Sequence, residues 1–534
     1  MAFLRVEKKA SGTYLRIVKT YKKEGKVKHN TLFSLGKVED YAVDQLERIG
    51  KRFLELAGKS FDEIVTHELE EVARYNYGFP LVMKWLWDRY DLAPFFKKHV
   101  GSTRKISFDF QNVLKLLLCE RLSEPSSKLA TYLHQEDYIG LQEASLQHLY
   151  RSLDILDDVS ELLRKHLYER QRSLFSERLD VVFYDVTTLY FDASRPLSQD
   201  DMRKKGYSKD GKAHKLQVVL GLVVDKLRNP VTYQLYEGNQ YEGTTLRDGI
   251  ATLKKSFQID KVIMVCDRGM MSTKNLEAVK DSGYDYIIGE RLKKLSKEVQ
   301  QELIDSSKHR PLSTGQQDKY TYHDYRLGDK RIICTYSEKR ARKDAHERQV
   351  LVEKAIALLD NPGTLKAKNK KGAKRYLSYQ EDDNISLDEA RIRQEEAYDG
   401  FLAIATNRKD LAVHEVIEQY TNLFQVEHAF RTLKSTVNIR PMYHWNPKRI
   451  RGHVAICFLA YLFLNDLEKS LKWTSNELIR TLDKMQVSKI RQNEQEYFYL
   501  RSNICENTKH LIEKLRLVVP KDTTPQNLIN QYFS

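Results

Sequence analysis

The sequence contains few cysteines, and none of them are spaced in pairs. The five are Cys119, Cys266, Cys334, Cys457 and Cys505, scattered over 534 residues without a CxxC motif. This distribution argues against a disulfide framework and against a zinc finger. We therefore expect a protein of a reducing compartment.

Long apolar runs are also lacking. The first residues, MAFLRVEKKASG, do not contain the apolar core of a signal peptide. The most apolar stretch of the C-terminal part, residues 454–464, is shorter than a bilayer-spanning helix. These features predict a soluble, cytoplasmic protein.

An excess of acidic residues is absent as well. The chain has 89 Lys and Arg against 74 Asp and Glu, a formal charge of +15. Such an excess favours a polyanionic partner, most commonly nucleic acid, although some soluble proteins are basic without one. A hydrophobic content of 41% excludes a wholly disordered chain, and the length predicts several domains.

The N-terminal half divides into two regions by composition. Residues 1–36 hold nine Lys or Arg and two acidic residues in short alternating runs, which predicts a basic β-rich arm. This arm either grips DNA or is a solvated, mobile segment. Residues 37–175 show helical spacing and form the expected DNA-binding domain. Two runs at 126–134 and 145–156 are compatible with a helix-turn-helix, but an ordinary helical bundle is favoured.

An α/β pattern begins near residue 176 and continues to 290. Apolar, β-branched runs predict strands at 179–185, 215–225, 230–236, 261–267 and 284–290, and a helix at 244–257. The second and third runs flank a short turn and predict a hairpin. Strands with interleaved helices indicate a mixed α/β layer fold.

A polar insertion, residues 291–399, interrupts this pattern. Within it, residues 362–376 have six basic residues and no acidic one, as expected of a mobile loop or a phosphate-tracking surface. The α/β pattern resumes over 400–470, with a strand at 399–407 and a helix at about 411–434. We expect residues 471–534 to be a C-terminal helical region, with a helix at 475–490 that begins with a capping box.

Two aspartates carry the first chemical signal. Asp185 and Asp267 each end an apolar run, and ligands collect at the carboxyl ends of strands in α/β sheets. Two carboxylates on neighbouring strands repel each other unless a cation lies between them. Hard oxygen ligands of this kind select Mg²⁺ or Mn²⁺.

A glutamate carries the second signal. Glu427 lies in the run YTNLFQVEHAFRTLK, seven residues after Tyr420 and seven before Lys434. Seven residues return nearly to the same side of a helix, so these three side chains are predicted to share one stripe. Arg431 follows Glu427 by four residues and lies beside it. On spacing alone, a surface Glu–Arg pair on an amphipathic helix is the favoured explanation.

These features together resemble the bacterial insertion-sequence DDE transposases, whose signature helix reads Y-x2-R-x3-E-x6-K. Tyr420, Glu427 and Lys434 match it, whereas Leu423 stands at the arginine position. Several other stretches are also similar to this family: YDVTTLYF, EGNQYEGTTL, VCDRGMMS, DGFLAIATN and RPMYHWNPKRIRGHVAICFLAYLF. The resemblance covers about residues 100–470.

The resemblance implies an RNase H-like catalytic core and a DNA transposase that cleaves DNA and joins 3′ ends to a target. Asp185, Asp267 and Glu427 would hold two Mg²⁺ ions, with Mn²⁺ as a substitute, and Asp185 would bridge them. Tyr420 and Lys434 would hold the neighbouring phosphate, and Arg431 would replace the missing arginine.

The implied partners are double-stranded transposon ends and target DNA, bound by a homodimer associated with the bacterial nucleoid. A basic run after the signature helix, Lys448, Arg449 and Arg451, is a further candidate for backbone contacts. Two alternatives stay open: an RNase H-like nuclease without strand transfer, and a non-catalytic DNA-binding protein derived from a transposase.

Overall fold

The structure is a computed structural model, and it describes most of the chain. The described residues are 2–23, 26–58, 69–102, 105–175, 180–198, 201–207, 211–212, 214–259, 261–270, 272–312, 320–359, 372–379, 385–493 and 496–533. Residues 362–371 of the predicted basic loop lie outside them.

Helices and strands alternate along most of the chain. The helices are α1 (Val43–Leu56), α2 (Gly78–Arg89), α3 (Leu92–Phe96), α4 (Phe110–Ser123), α5 (Lys128–His134), α6 (Leu146–Phe175), α7 (Glu242–Lys255), α8 (Thr273–Asp281), α9 (Lys297–Ile304), α10 (Glu338–Leu359), α11 (Glu389–Glu396), α12 (Val413–Thr421), α13 (Phe424–Ser435), α14 (Pro447–Leu471), α15 (Ser475–Asp483) and α16 (Glu506–Leu515). The strands are β1 (Ala2–Lys9), β2 (Gly12–Lys23), β3 (Lys26–Lys37), β4 (Glu70–Asn76), β5 (Val181–Tyr190), β6 (Gln217–Asp225), β7 (Pro230–Glu237), β8 (Ile263–Cys266), β9 (Asp285–Glu290), β10 (Arg310–Pro311), β11 (Tyr320–Leu327), β12 (Lys330–Ser337), β13 (Leu377–Tyr379), β14 (Ile385–Leu387), β15 (Phe401–Thr406), β16 (Gln486–Asn493), β17 (Glu496–Arg501) and β18 (Thr523–Pro525).

The chain forms two compact units, and the smaller one is built on β-sheet. It comprises Met1–Tyr75, Val487–Asn503 and Pro520–Ile529. Strands β1, β2 and β3 form an antiparallel sheet, which confirms the β character predicted for the basic N-terminus. A second sheet has the strand order β18–β17–β16–β4.

This second sheet corrects part of the helix prediction. The predicted helix at 475–490 ends at Asp483, and Gln486–Asn493 is a strand paired with β17. Helical spacing in α15 gives way there to β-branched and aromatic residues that pair across a hairpin, so pairing overrides the local pattern. Strand β4 likewise interrupts the region predicted to be helical.

The larger unit contains a nine-stranded mixed sheet in the order β10–β11–β12–β15–β9–β8–β5–β6–β7. Strands β5, β8 and β9 run parallel. Strand β6 pairs antiparallel with β5, and β6 and β7 form the predicted antiparallel hairpin. The mixed α/β fold is therefore confirmed. Strands β10, β11 and β12 belong to the polar insertion and extend the same sheet through β15.

Helices cover both faces of the sheet. On one face, Val182 and Tyr184 of β5 pack with Met264 of β8 and with Leu246 and Ile250 of α7 in one buried cluster. Helix α13 packs against β5 and β6, and α14 packs against α6 and β7. The apolar side chains of α13 are buried but do not belong to that cluster, which places α13 on the other face.

Helix α14 is the apolar spine of the larger unit. It is the one helix of the described chain that is long and apolar enough to cross a membrane, but 94% of its most apolar window is buried inside the protein. A helix that is apolar on all sides and covered by protein is a core helix.

Candidate active site

The two predicted aspartates lie side by side on neighbouring strands. Tyr184 of β5 is the parallel partner of Cys266 of β8, so Asp185 and Asp267 occupy the next position of each strand. Neighbouring strands lie about 5 Å apart. Asp267 follows the last residue of its strand as predicted, but Asp185 lies in the middle of β5 because the β-forming run VTTLY prolongs that strand.

Both aspartates face away from the buried cluster under α7. Side chains alternate along a strand, and Val182, Tyr184 and Cys266 belong to that cluster. Asp185 and Asp267 therefore point to the face on which α13 lies. Asp185 is half-buried and Asp267 is exposed. Two carboxylates, one half-buried and one exposed, thus lie on the same face of the sheet.

Both carboxylates affect the pKa of the buried Cys266 thiol. Burial raises the pKa of Cys266 well above its usual value, and the charges of Asp267 and then Asp185 raise it further. Both negative charges therefore act on the same point at the end of β8. Their concentration in one place is unfavourable without a nearby cation.

The signature region forms two helices where one was predicted. Tyr420 belongs to α12, whereas Glu427 and Lys434 belong to α13, and Asn422 and Leu423 form the turn between them. The turn is tightened by backbone hydrogen bonds from Leu423 N–H to Tyr420 O (3.1 Å) and from Val426 N–H to Leu423 O (3.2 Å). Of the three residues predicted to share one side of a single helix, only Glu427 and Lys434 therefore do so.

Leu423, at the position of the family's arginine, has a packing role. Its side chain is 9% exposed and covers the turn between the helices. Glu427 and Arg431 are exposed on α13, and Lys434 is half-buried.

The donor chemistry of the site fits a divalent cation. Carboxylate oxygens are the ligands that Mg²⁺ and Mn²⁺ prefer, and Asp185 and Asp267 present them together. Within the described ranges, no group of three His, Cys, Asp or Glu side chains is close enough to hold a metal ion. Glu427 therefore belongs to the helix beside the aspartate pair without completing a three-ligand cluster in this conformation.

Comparison with protein families identifies this arrangement. A model described as "Transposase DDE domain" matches residues 177–463, more than half of the chain and all three acidic residues. The chain belongs to the DDE transposases. A second model, "IS1634 family transposase, N-terminal domain", matches residues 4–60, so this is an insertion-sequence DDE transposase of that family. No curated protein matches the chain. DDE transposases are catalytic, bind DNA and generally use divalent metal ions.

The transposase pairs its predicted basic run with acidic residues of α6. Lys448 contacts Asp158 at 3.0 Å and Arg449 contacts Asp154 at 3.4 Å. Arg451 binds Asp157 through two atoms, each 2.9 Å from a carboxylate oxygen. These contacts join α14 to α6. Their role in DNA binding stays a prediction.

A polar cavity adjoins the signature helices. It has a volume of about 670 Å³, and Tyr420 forms part of its wall. The other lining residues come mainly from the insertion and the end of β9, including Arg291, Arg340 and Arg348. Tyr420 thus shares this cavity with charged side chains of both signs.

Two exposed aromatic residues in this region were not singled out from the sequence. Tyr443 and Trp445 follow α13 and are each 64% exposed. The motif RPMYHWNPKRIR contains both of them and combines aromatic with basic residues, a pattern that can indicate DNA binding. The same pattern is also common in solvated loops, so the sequence alone does not distinguish the two.

Proposed function

We propose that this transposase binds the double-stranded ends of its own element, cleaves them and joins the 3′ ends to target DNA. The observation that carries the proposal is the side-by-side placement of Asp185 and Asp267 on the sheet face that α13 covers. The match to the DDE domain across all three carboxylates supports it. We infer an RNase H-like core from the strand order, with β6 antiparallel to β5, β7 antiparallel to β6, and β8 and β9 parallel to β5.

Asp185, Asp267 and Glu427 are the proposed ligands of two Mg²⁺ ions, which Mn²⁺ could replace. Bound metal would activate the attacking hydroxyl and stabilise the leaving 3′-oxygen. The protein's own task is positioning and charge neutralisation, because phosphoryl transfer needs little covalent help. The strand register fixes the spacing of the two aspartates, and the buried cluster beneath them keeps that spacing rigid.

Three cationic or phenolic side chains are proposed to hold the scissile phosphate. Lys434 follows Glu427 by two turns on the same helix and supplies a point charge. Tyr420 lies on α12, in the wall of the cavity, and Arg431 is exposed one turn after Glu427. We further propose a homodimer on two transposon ends, in the cytoplasm on the bacterial nucleoid.

The decisive experiment is a cleavage and strand-transfer assay with Mg²⁺ and the DNA that flanks the gene. We expect joined 3′ ends from the natural protein. Asp185→Asn, Asp267→Asn and Glu427→Gln should each lower the rate at least about a thousand-fold, equivalent to roughly 4 kcal/mol in the barrier. The matched control is Asp180→Asn, an exposed carboxylate just before β5, which should remain active.

The outcomes separate the alternatives. Cutting without joining would indicate a nuclease without strand transfer, and DNA binding without cutting would indicate a non-catalytic derivative. Full activity of Asp185→Asn or Glu427→Gln would refute the assignment of that residue as a metal ligand. Binding of each variant to the same DNA in the presence of a chelator checks that loss of activity does not come from misfolding.

A further inference from the structure

The end of strand β5 carries a cluster of positive charge around one aromatic ring. The Lys212 ammonium lies 3.7 Å from the centroid of the Tyr190 ring, the Arg440 guanidinium 5.3 Å and the Lys215 ammonium 5.8 Å. Asp192 pairs with Lys215 at 2.6 Å and offsets one of these charges. The ring therefore gathers three cationic side chains at the end of β5.

Two exposed aromatic side chains lie in the loop beside this cluster. Met442 and Phe191 form an isolated parallel β-bridge, in which the Met442 N–H donates to the Tyr190 carbonyl at 3.1 Å. This pairing fixes the loop to the end of β5. His444 packs against the rings of Tyr150 and His453. The residues on either side of His444, Tyr443 and Trp445, are each left 64% exposed.

Burial of His444 explains why the loop presents these rings outward. Burial lowers the pKa of His444 to about 3, and the nearby charge of Lys128 contributes, so the imidazole is neutral and suited to an inward position. Successive residues of the loop thus alternate between inside and outside. Tyr443 directly follows Met442, whose N–H is bonded to the Tyr190 carbonyl, so the aromatic and cationic parts adjoin at the end of β5. We call Tyr443, Trp445, Lys212, Lys215 and Arg440 the platform.

The chemistry of the platform selects its ligand. Exposed aromatic rings stack on bases, and clustered lysine and arginine side chains bind phosphates. Duplex DNA keeps the faces of its bases stacked inside, so only an unpaired strand can use both features. A purely apolar protein partner would gain nothing from three cations.

We propose that the platform binds single-stranded DNA, with Tyr443 and Trp445 stacking on unpaired bases and the three cations contacting the backbone. The role suggested for it rests on the proposed function, since strand cleavage is what would expose an unpaired end here. Asp185 and Tyr190 are five residues apart on β5, about 17 Å along the strand. An unpaired segment of a few nucleotides spans that distance.

The test measures oligonucleotide binding by the full-length protein without divalent cations. A fluorescently labelled (dT)15 and a 15-base-pair duplex are compared by anisotropy. In Tyr443→Leu/Trp445→Leu, affinity for (dT)15 should fall about ten-fold or more, while duplex affinity stays within two-fold. The matched Tyr443→Phe/Trp445→Phe variant keeps the aromatic faces and should bind (dT)15 within about three-fold of the natural protein. Lys212→Gln/Lys215→Gln should lower the salt dependence of (dT)15 binding.

Tryptophan fluorescence gives a second readout. All four tryptophans lie within the described ranges, and Trp445 alone is exposed. Stacking of a base on Trp445 should quench its emission when (dT)15 is added, and this quenching should vanish in Trp445→Phe.

The inference is overturned if the leucine variant binds (dT)15 normally, if it loses duplex affinity to the same extent, or if quenching persists in Trp445→Phe. Because no metal ion is present, these results do not depend on cleavage. Selective (dT)15 binding by a protein that does not cut would therefore refute the proposed function while leaving the platform intact.

Discussion

Replacing Lys128 by methionine is expected to stabilise the larger unit at neutral pH. Lys128 begins helix α5, and only 3% of its surface is exposed. Burial, and then the charge of Arg121, lower the pKa of Lys128 from its ordinary 10.5 to about 7, with only small opposing effects from Cys457 and Glu120. His444 and His453 lie near Lys128 and Arg121. Burial, together with these positive charges, lowers the pKa of both histidines. The fold therefore disfavours the charged form of this side chain.

The shift sets both the size and the pH range of the effect. Between pH 7 and 10.5 the unfolded chain holds a proton on Lys128 that the folded protein does not, so the stability contributed by this group rises with pH. A shift of about 3.5 pH units at about 1.36 kcal/mol per unit gives a cost of roughly 4 kcal/mol at pH 7. The cost falls below about 1 kcal/mol at pH 10. Methionine has a similar length and removes the cost at every pH.

The measurement is urea unfolding at pH 7 and pH 10, followed by tryptophan fluorescence, because all four tryptophans lie in the larger unit. We expect Lys128→Met to raise the free energy of unfolding by a few kcal/mol at pH 7 and by little at pH 10. Lys98→Met, at an exposed position, is the control and should show no such pH trend. An equal effect at both pH values, or a loss of stability at pH 7, would mean that the folded protein accommodates the charge and would refute the argument.

Two further predictions concern the contact between α14 and α6. A methyl group added at Gly452 would lie 2.2 Å from the Leu153 carbonyl oxygen, so Gly452→Ala should cost about 1–3 kcal/mol in unfolding experiments. Gly50→Ala in α1 meets nothing within 4 Å and should be neutral or stabilising; an unchanged Gly452→Ala protein would contradict the packing. A double-mutant cycle of Arg451→Ala and Asp157→Ala should give a coupling of about 0.5–1 kcal/mol in stability, as expected for a partly exposed ion pair. Ten-fold weaker DNA binding by Arg451→Ala, without such coupling, would instead assign Arg451 to DNA.

The central strands could be predicted from sequence because their signal is local. Continuous β-branched runs such as KVIMVCD are typical of strands buried on both faces, and β8 and β9 occur where these runs stand. Pairing between strands that are distant along the chain leaves a weaker pattern in the sequence. The sequence predicts helix for residues 486–490 because the apolar spacing of α15 continues into them, whereas pairing with β17 decides their structure. The strands of the insertion are polar and half-exposed, so the sequence pattern did not predict that they pair with the central sheet.

The same distinction separates the three acidic residues. Asp185 and Asp267 follow apolar runs of parallel strands, so strand geometry alone predicts that they meet, and the register of β5 and β8 brings them side by side. The position of Glu427 depends on how α13 crosses the sheet, and the tight turn at Asn422 and Leu423 sets that direction. A seven-residue spacing carries no information about such a turn. The family match spans Glu427 without assigning it a role, and the distance of Glu427 from the aspartates is a property of helix packing. That is why the aspartate pair supports the proposed metal site on physical grounds, and why Glu427→Gln is the more informative of the proposed substitutions.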